Sequence, residues 1–179
     1  MRIHEIATAP VISAKSEIFV DMDGVLADFR GLCQKELGIA GDPTVHLPPE
    51  MFKDIVGTDF FSRIPKFDTA DALIDLVLQY VPHYNICSTP LKGDPVNSEQ
   101  HKRIWIKREL NPQPKSMVFT RHKGAACAIQ GDGTPNILID DFSKNIHEWK
   151  LAGGIAIQYD AGLNPLSVVA AGLKKAYGR

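Results

Sequence analysis

Short apolar runs alternate along the chain with longer stretches of helical spacing. Glu17-Ile18-Phe19-Val20-Asp21 is a β-branched and aromatic run bounded by acids, the pattern of a buried strand. The pattern recurs at His83–Cys87, Ser116–Phe119, Asn136–Ile139 and Gly154–Tyr159. Between these runs, Ala72, Leu73, Leu76, Val77 and Tyr80 share one face of a helix whose N-cap is Asp68 or Thr69. Asn97–Leu110 is a polar helix with Ile106 and Leu110 on one side, stopped by Asn111-Pro112. Ser143 caps a helix carrying Ile146 and Trp149 that ends at Gly153-Gly154. Asn164-Pro165 opens a last helix with Leu166, Val169, Ala170, Leu173 and Tyr177 inward.

This alternation predicts an α/β fold: a doubly wound, mostly parallel sheet covered on both faces. Residues 30–66 break the rhythm. Their apolar positions, Leu32, Leu37, Met51, Phe52, Ile55, Phe60 and Phe61, are interrupted by Pro43, Pro48 and Pro49. The segment reads as a small helical cap inserted after the first strand, or as a long decorated loop, with residues 1–29 and 67–179 forming the core. Beside an active edge, such an insertion would act as a lid.

Composition narrows the class. With 179 residues, 44% hydrophobic and 23% charged, the chain is long enough for one core and is neither disordered nor fibrous. The net charge of -1 speaks against extended nucleic-acid binding, although Leu91–Gly124 is locally basic. No apolar run approaches the roughly 20 residues of a membrane helix, and Arg2, His4 and Glu5 interrupt the start where a signal peptide needs apolar residues. The expectation is a cytoplasmic protein. Cys33, Cys87 and Cys127 form no C-x-x-C pair and the histidines no H-E-x-x-H, which disfavours a disulfide framework or a zinc site.

In a doubly wound sheet, ligands bind beyond the carboxyl ends of the strands. The first strand ends in Asp21-Met22-Asp23-Gly24, two acids followed by a glycine that lets both turn into one cavity. A calcium loop would need further acids at fixed spacing, and these are missing. The second strand ends in Ser88-Thr89-Pro90, the third is followed by Thr120-Arg121-His122-Lys123, and the fourth ends in Asp140-Asp141. Each piece alone could be a turn or a surface group. Together, four carboxylates at one edge suit Mg²⁺, while Lys123, Ser88 and backbone amides suit a phosphate. One Asp could attack phosphorus and the other shuttle a proton.

The set resembles the haloacid dehalogenase superfamily, and within it the 5′(3′)-deoxyribonucleotidases. The shared signs are Asp21–Phe29, Phe60-Phe61, Ser88-Thr89-Pro90, Lys102–Trp105, Thr120–Lys123, Leu138–Asp141 and Trp149 before Gly153-Gly154. The resemblance implies that Asp21 is the nucleophile and a metal ligand. It makes Asp23 the acid/base, binding metal through its backbone carbonyl. Ser88, Thr89 and Lys123 would hold phosphate, Asp140 and Asp141 would complete an Mg²⁺ site, and Phe29 would line the substrate pocket. The implied substrate is a small phosphorylated molecule, a nucleoside monophosphate. Another small phosphoester, a polynucleotide 3′-phosphate end and a non-catalytic phosphate-binding module are the alternatives.

Overall fold

Both sides of every central strand are apolar because both are covered. The computed structural model describes residues 15–38 and 49–178. Strands β1 (Ile18–Val20), β2 (Asn85–Ser88), β3 (Ser116–Phe119), β4 (Ile137–Asp140) and β5 (Ile155–Gln158) form one all-parallel sheet in the order β3-β2-β1-β4-β5. Side chains alternate between the faces of a strand. Ile18, Val20, Ile86, Ile137 and Ile139 enter the larger core, while Phe19, Cys87 and Leu138 enter a second core with Trp149 and Cys127.

Helices α3 (Ala70–Leu78), α4 (Pro95–Glu109) and α7 (Ser167–Ala176) supply Leu73, Ile74, Val77, Trp105, Ile106, Val169 and Leu173 to the first core. Helices α5 (Lys123–Cys127) and α6 (Ser143–Leu151) cover the other face. The doubly wound α/β sheet expected from the sequence is the observed fold.

The chain runs outward from β1 through β2 to β3, then returns across the sheet to β4 on the other side of β1. This reversal places the topological switch point between β1 and β4. Their register pairs Val20 with Ile139, so the residues that follow, Asp21 and Asp140, emerge side by side.

Three local expectations change. Ser143 is the first helical residue of α6 and Phe142 is its N-cap. The reason is that the Phe142 amide donates to Asp140 Oδ1 at 2.9 Å, so a carboxylate, not the Ser hydroxyl, organises the junction. Helix α4 starts at Pro95, earlier than Asn97, with Pro in the first turn where its missing N–H costs nothing. Helix α7 starts at Ser167, after Pro165 has closed a turn to Val168. The short α5 had no periodicity to reveal it.

Of residues 30–66, the described part forms α1 (Phe29–Leu37), a 3-10 turn at Pro49–Ile55 and α2 (Phe60–Arg63). Pro43 and Pro48 lie outside the described residues. Asp28 caps α1 by accepting from the Gly31 amide at 2.8 Å. The rings of Phe29, Phe52, Phe60 and Phe61 pack together with centroids 5.7–5.9 Å apart. The leg returning to the core is tied to α4. Asn97, Arg108 and Trp105 donate to the carbonyls of Thr58, Ser62 and Ile64 at 2.8, 2.7 and 2.6 Å. No described helix is long and apolar enough to cross a membrane.

Candidate active site

Asp21 leaves β1 with its amide bonded to the Ile139 carbonyl at 2.9 Å, which fixes its backbone to β4. Its buried carboxylate accepts from Lys123 Nζ through Oδ1 at 2.7 Å. The same ammonium donates to Asp140 Oδ2 at 2.6 Å. Lys123 is almost fully buried, and burial alone would lower its pKa. Asp21 and Asp140 outweigh that effect and raise it, so it stays charged. Two of its three N–H donors are used, leaving one for an anion. Lys123 reaches the sheet because Gly124 follows it. A Cβ at Gly124 would lie 2.5 Å from the Glu148 carbonyl oxygen, so only glycine lets α5 sit this close to α6.

Asp23 stands across a tight loop. The Ala27 amide donates to the Met22 carbonyl and the Gly24 amide to the Ala27 carbonyl, both at 2.9 Å, and none of the bonds closing the loop uses the Asp23 carbonyl. Gly24 has φ +78°, and a Cβ there would meet Asp141 Oδ2 at 2.3 Å. The glycine expected from the D-x-D-G pattern thus serves both the turn and the acid opposite. Asp23 Oδ2 accepts from Lys102 Nζ at 2.5 Å, while the buried Oδ1 has no partner. Burial raises the Asp23 pKa against the pull of Lys102.

The two acids at the end of β4 have separate surroundings. Asp140 is fully buried and saturated. Its Oδ1 accepts from the Phe142 amide and from Asn145 Nδ2 at 3.1 Å, and its Oδ2 accepts from Lys123 and from Asn145 at 3.0 Å. No hydrogen bond to the Asp141 carboxylate is found among the described residues. Burial, followed by the charges of Asp21, Asp140 and Asp160, holds its pKa well above the usual carboxylate range.

Oxygens of Asp21, Asp140 and Asp141 lie within 4.8 Å of one another. One lysine faces three acids, and the donors are all oxygen. This set fits a hard divalent cation such as Mg²⁺, with Asp141 the acid least engaged by protein groups.

The residues singled out from the sequence therefore come together, with differences of position. Ser88 is fully buried, and its Oγ accepts from Lys102 at 2.9 Å. The Thr89 carbonyl accepts from the same ammonium at 2.8 Å. Phe29 is half-buried against Phe60 and Phe61, which are themselves core. Sequence reasoning assigned no role to Lys102 or Asn145. Both are buried polar residues on helices, and on a polar helix such as α4 a buried lysine looks like any solvated one.

No protein-family model matches the chain, and no curated protein matches it in sequence. Solved structures do. A phosphonoacetaldehyde hydrolase-like protein from Oleispira antarctica superposes with TM-score 0.52 at 12% identity, covering 96% of this chain and 88% of that one. A candidate phosphatase from Clostridium difficile gives 0.51 at 13%, covering 88% and 92%. A haloacid dehalogenase-like hydrolase from Streptococcus pneumoniae gives 0.49 at 13%, covering 89% and 91%. The chain has the Rossmann-like α/β fold of the first two proteins, over nearly its whole length.

Proposed function

We propose that this protein is a phosphomonoesterase of the haloacid dehalogenase type that works through an aspartyl-phosphate. The observation that carries the reading is the pairing of acids at the switch point. Asp21 Oδ1 accepts from Lys123, and Asp23 stands beside it with an unpartnered carboxyl oxygen.

In the forward step an Asp21 carboxylate oxygen forms a bond to phosphorus as the phosphorus–ester oxygen bond breaks. The leaving alkoxide takes the proton of the Asp23 carboxyl, whose pKa burial shifts upward against the pull of Lys102, the direction a general acid needs. Asp23, now a carboxylate, accepts a proton from water, and that water bonds to phosphorus as the Asp21 oxygen–phosphorus bond breaks. Orthophosphate leaves, and both aspartates return to their starting states. Lys123 offers its remaining N–H to a phosphoryl oxygen. Asp21 and Asp141, with the Asp23 carbonyl, would hold Mg²⁺, with Asp140 supporting the site. The ion supplies charge neutralisation between the acids and the phosphate.

Phosphate recognition at the sheet edge does not choose among esters, so residues 30–66, acting as a cap, would do so, with Phe29 at its root. The resemblance in Asp21–Phe29 and Thr120–Lys123 supports a nucleoside monophosphate, a deoxyribonucleotide, as substrate.

The test is a phosphate-release panel of nucleoside monophosphates, sugar phosphates and 3′-phosphorylated oligonucleotides, with Mg²⁺ and with excess chelator. Release from nucleoside monophosphates that stops on chelation and returns with Mg²⁺ is expected. Binding of phosphate without turnover on any member would contradict the proposal.

A further inference from the structure

Lys102 is a buried cation that the reaction just described does not use. It lies in the middle of α4, fully inaccessible, with Nζ 4.9 Å from the centroid of the Phe61 ring. An ammonium has three N–H donors. Here each has an acceptor: Ser88 Oγ at 2.9 Å, the Thr89 carbonyl at 2.8 Å and Asp23 Oδ2 at 2.5 Å. The contrast with Lys123, which has two partners and a donor to spare, is direct. With no donor left, Lys102 cannot serve as a phosphate ligand.

Its geometry instead is that of a tripod. Two legs stand on the end of β2, where Ser88 belongs to the strand and pairs in register with Phe119 of β3. The third leg reaches the loop after β1 and fixes one oxygen of Asp23. The other oxygen, Oδ1, is left with no protein partner. A loop carboxyl would otherwise rotate about its side-chain bonds. Tied at Oδ2 to a cation anchored on the sheet, it presents one oxygen in one direction. The Phe61 ring closes the remaining side of the ammonium, and a cation over an aromatic face is attracted to it.

We propose that Lys102 is a positioning residue for the proton-transfer step: it aims Asp23 Oδ1 at the leaving-group oxygen and takes no part in binding the phosphate. This role rests on the proposed phosphomonoesterase reaction. It carries a consequence that a purely structural lysine would not share. Assistance by an acid matters little when the leaving group is already a stable anion and much when it is a basic alkoxide. Loss of Lys102 should therefore be felt in proportion to leaving-group basicity.

The experiment compares the parent with Lys102→Met, which keeps length and removes the charge, on dinitrophenyl, p-nitrophenyl and phenyl phosphate and on an alkyl phosphate. kcat/KM, which reads ester cleavage before water attacks, should stay within about fivefold of the parent for the dinitrophenyl ester and fall by about 10²-fold or more for the alkyl ester. Inhibition by orthophosphate should change less than threefold, by roughly the measurement's own scatter. If Lys102→Met does not fold, Phe61→Leu, which loosens the ammonium without removing it, should show the same order of losses at smaller size. Equal losses across the series, in whichever variant is folded, would overturn the positioning role while leaving the phosphatase reading intact. A parent inactive on every ester would overturn the phosphatase reading, and this role with it.

Discussion

Asp21→Asn is expected to lose at least about 10⁴-fold in turnover of any phosphomonoester, on the order of 5 kcal/mol of barrier, while remaining folded. The amide keeps the size of the carboxyl and cannot form the phosphoryl bond, and a covalent route has no bypass around its nucleophile. Folding should survive because Lys123 retains Asp140 as its partner at 2.6 Å, so no buried cation is stranded. The check pairs initial rates on an aryl phosphate with the urea midpoint of each protein. A variant within tenfold of the parent would remove Asp21 from the chemistry.

Lys123→Met should be costly twice over. It takes away the ammonium that bridges Asp21 and Asp140 and leaves two neighbouring buried acids facing each other. Removing one partner of a buried ion pair typically destabilises by about 3–5 kcal/mol, because the charge left behind keeps its desolvation cost. In chelator, where no divalent cation can take the place of the ammonium, the unfolding free energy read from a urea titration should drop by about that amount, and the midpoint with it. Mg²⁺ should recover part of it. Turnover should fall by about 10²–10³-fold even where the variant is fully folded, since a preorganised donor to the phosphoryl group is gone. An unchanged midpoint in chelator together with near-parent turnover would contradict the electrostatic role assigned to Lys123.

The sequence carried the sheet well because parallel strands buried on both faces must be apolar throughout. Ser116–Phe119 coincides with β3, and Ile137–Ile139 lies within β4. Helices long enough to show a period were also legible, with ends that slipped by a few residues at Pro95 and Ser167. The acids of the site were legible for a different reason: Asp21, Asp23, Asp140 and Asp141 each follow or end an apolar strand, where a charge is conspicuous. Lys102 and Asn145 were not. Their importance depends on which residues α4 and α6 bring near the switch point, a long-range fact. Asn145, for example, meets both oxygens of Asp140 only after β4 and α6 have packed. Phe29 marks a similar limit. Its ring belongs to the same aromatic cluster as Phe60 and Phe61, and spacing alone could not say which of the three faces inward.

The covalent step can be observed directly. Mixing the protein with a phosphomonoester labelled in its phosphoryl group, quenching in acid within the first turnover and mapping the labelled peptide reads out where the phosphoryl group rests. The account predicts stoichiometric label on the peptide containing Asp21, absent from Asp21→Asn. Steady release of orthophosphate with label on no peptide, or on a residue other than Asp21, would contradict it.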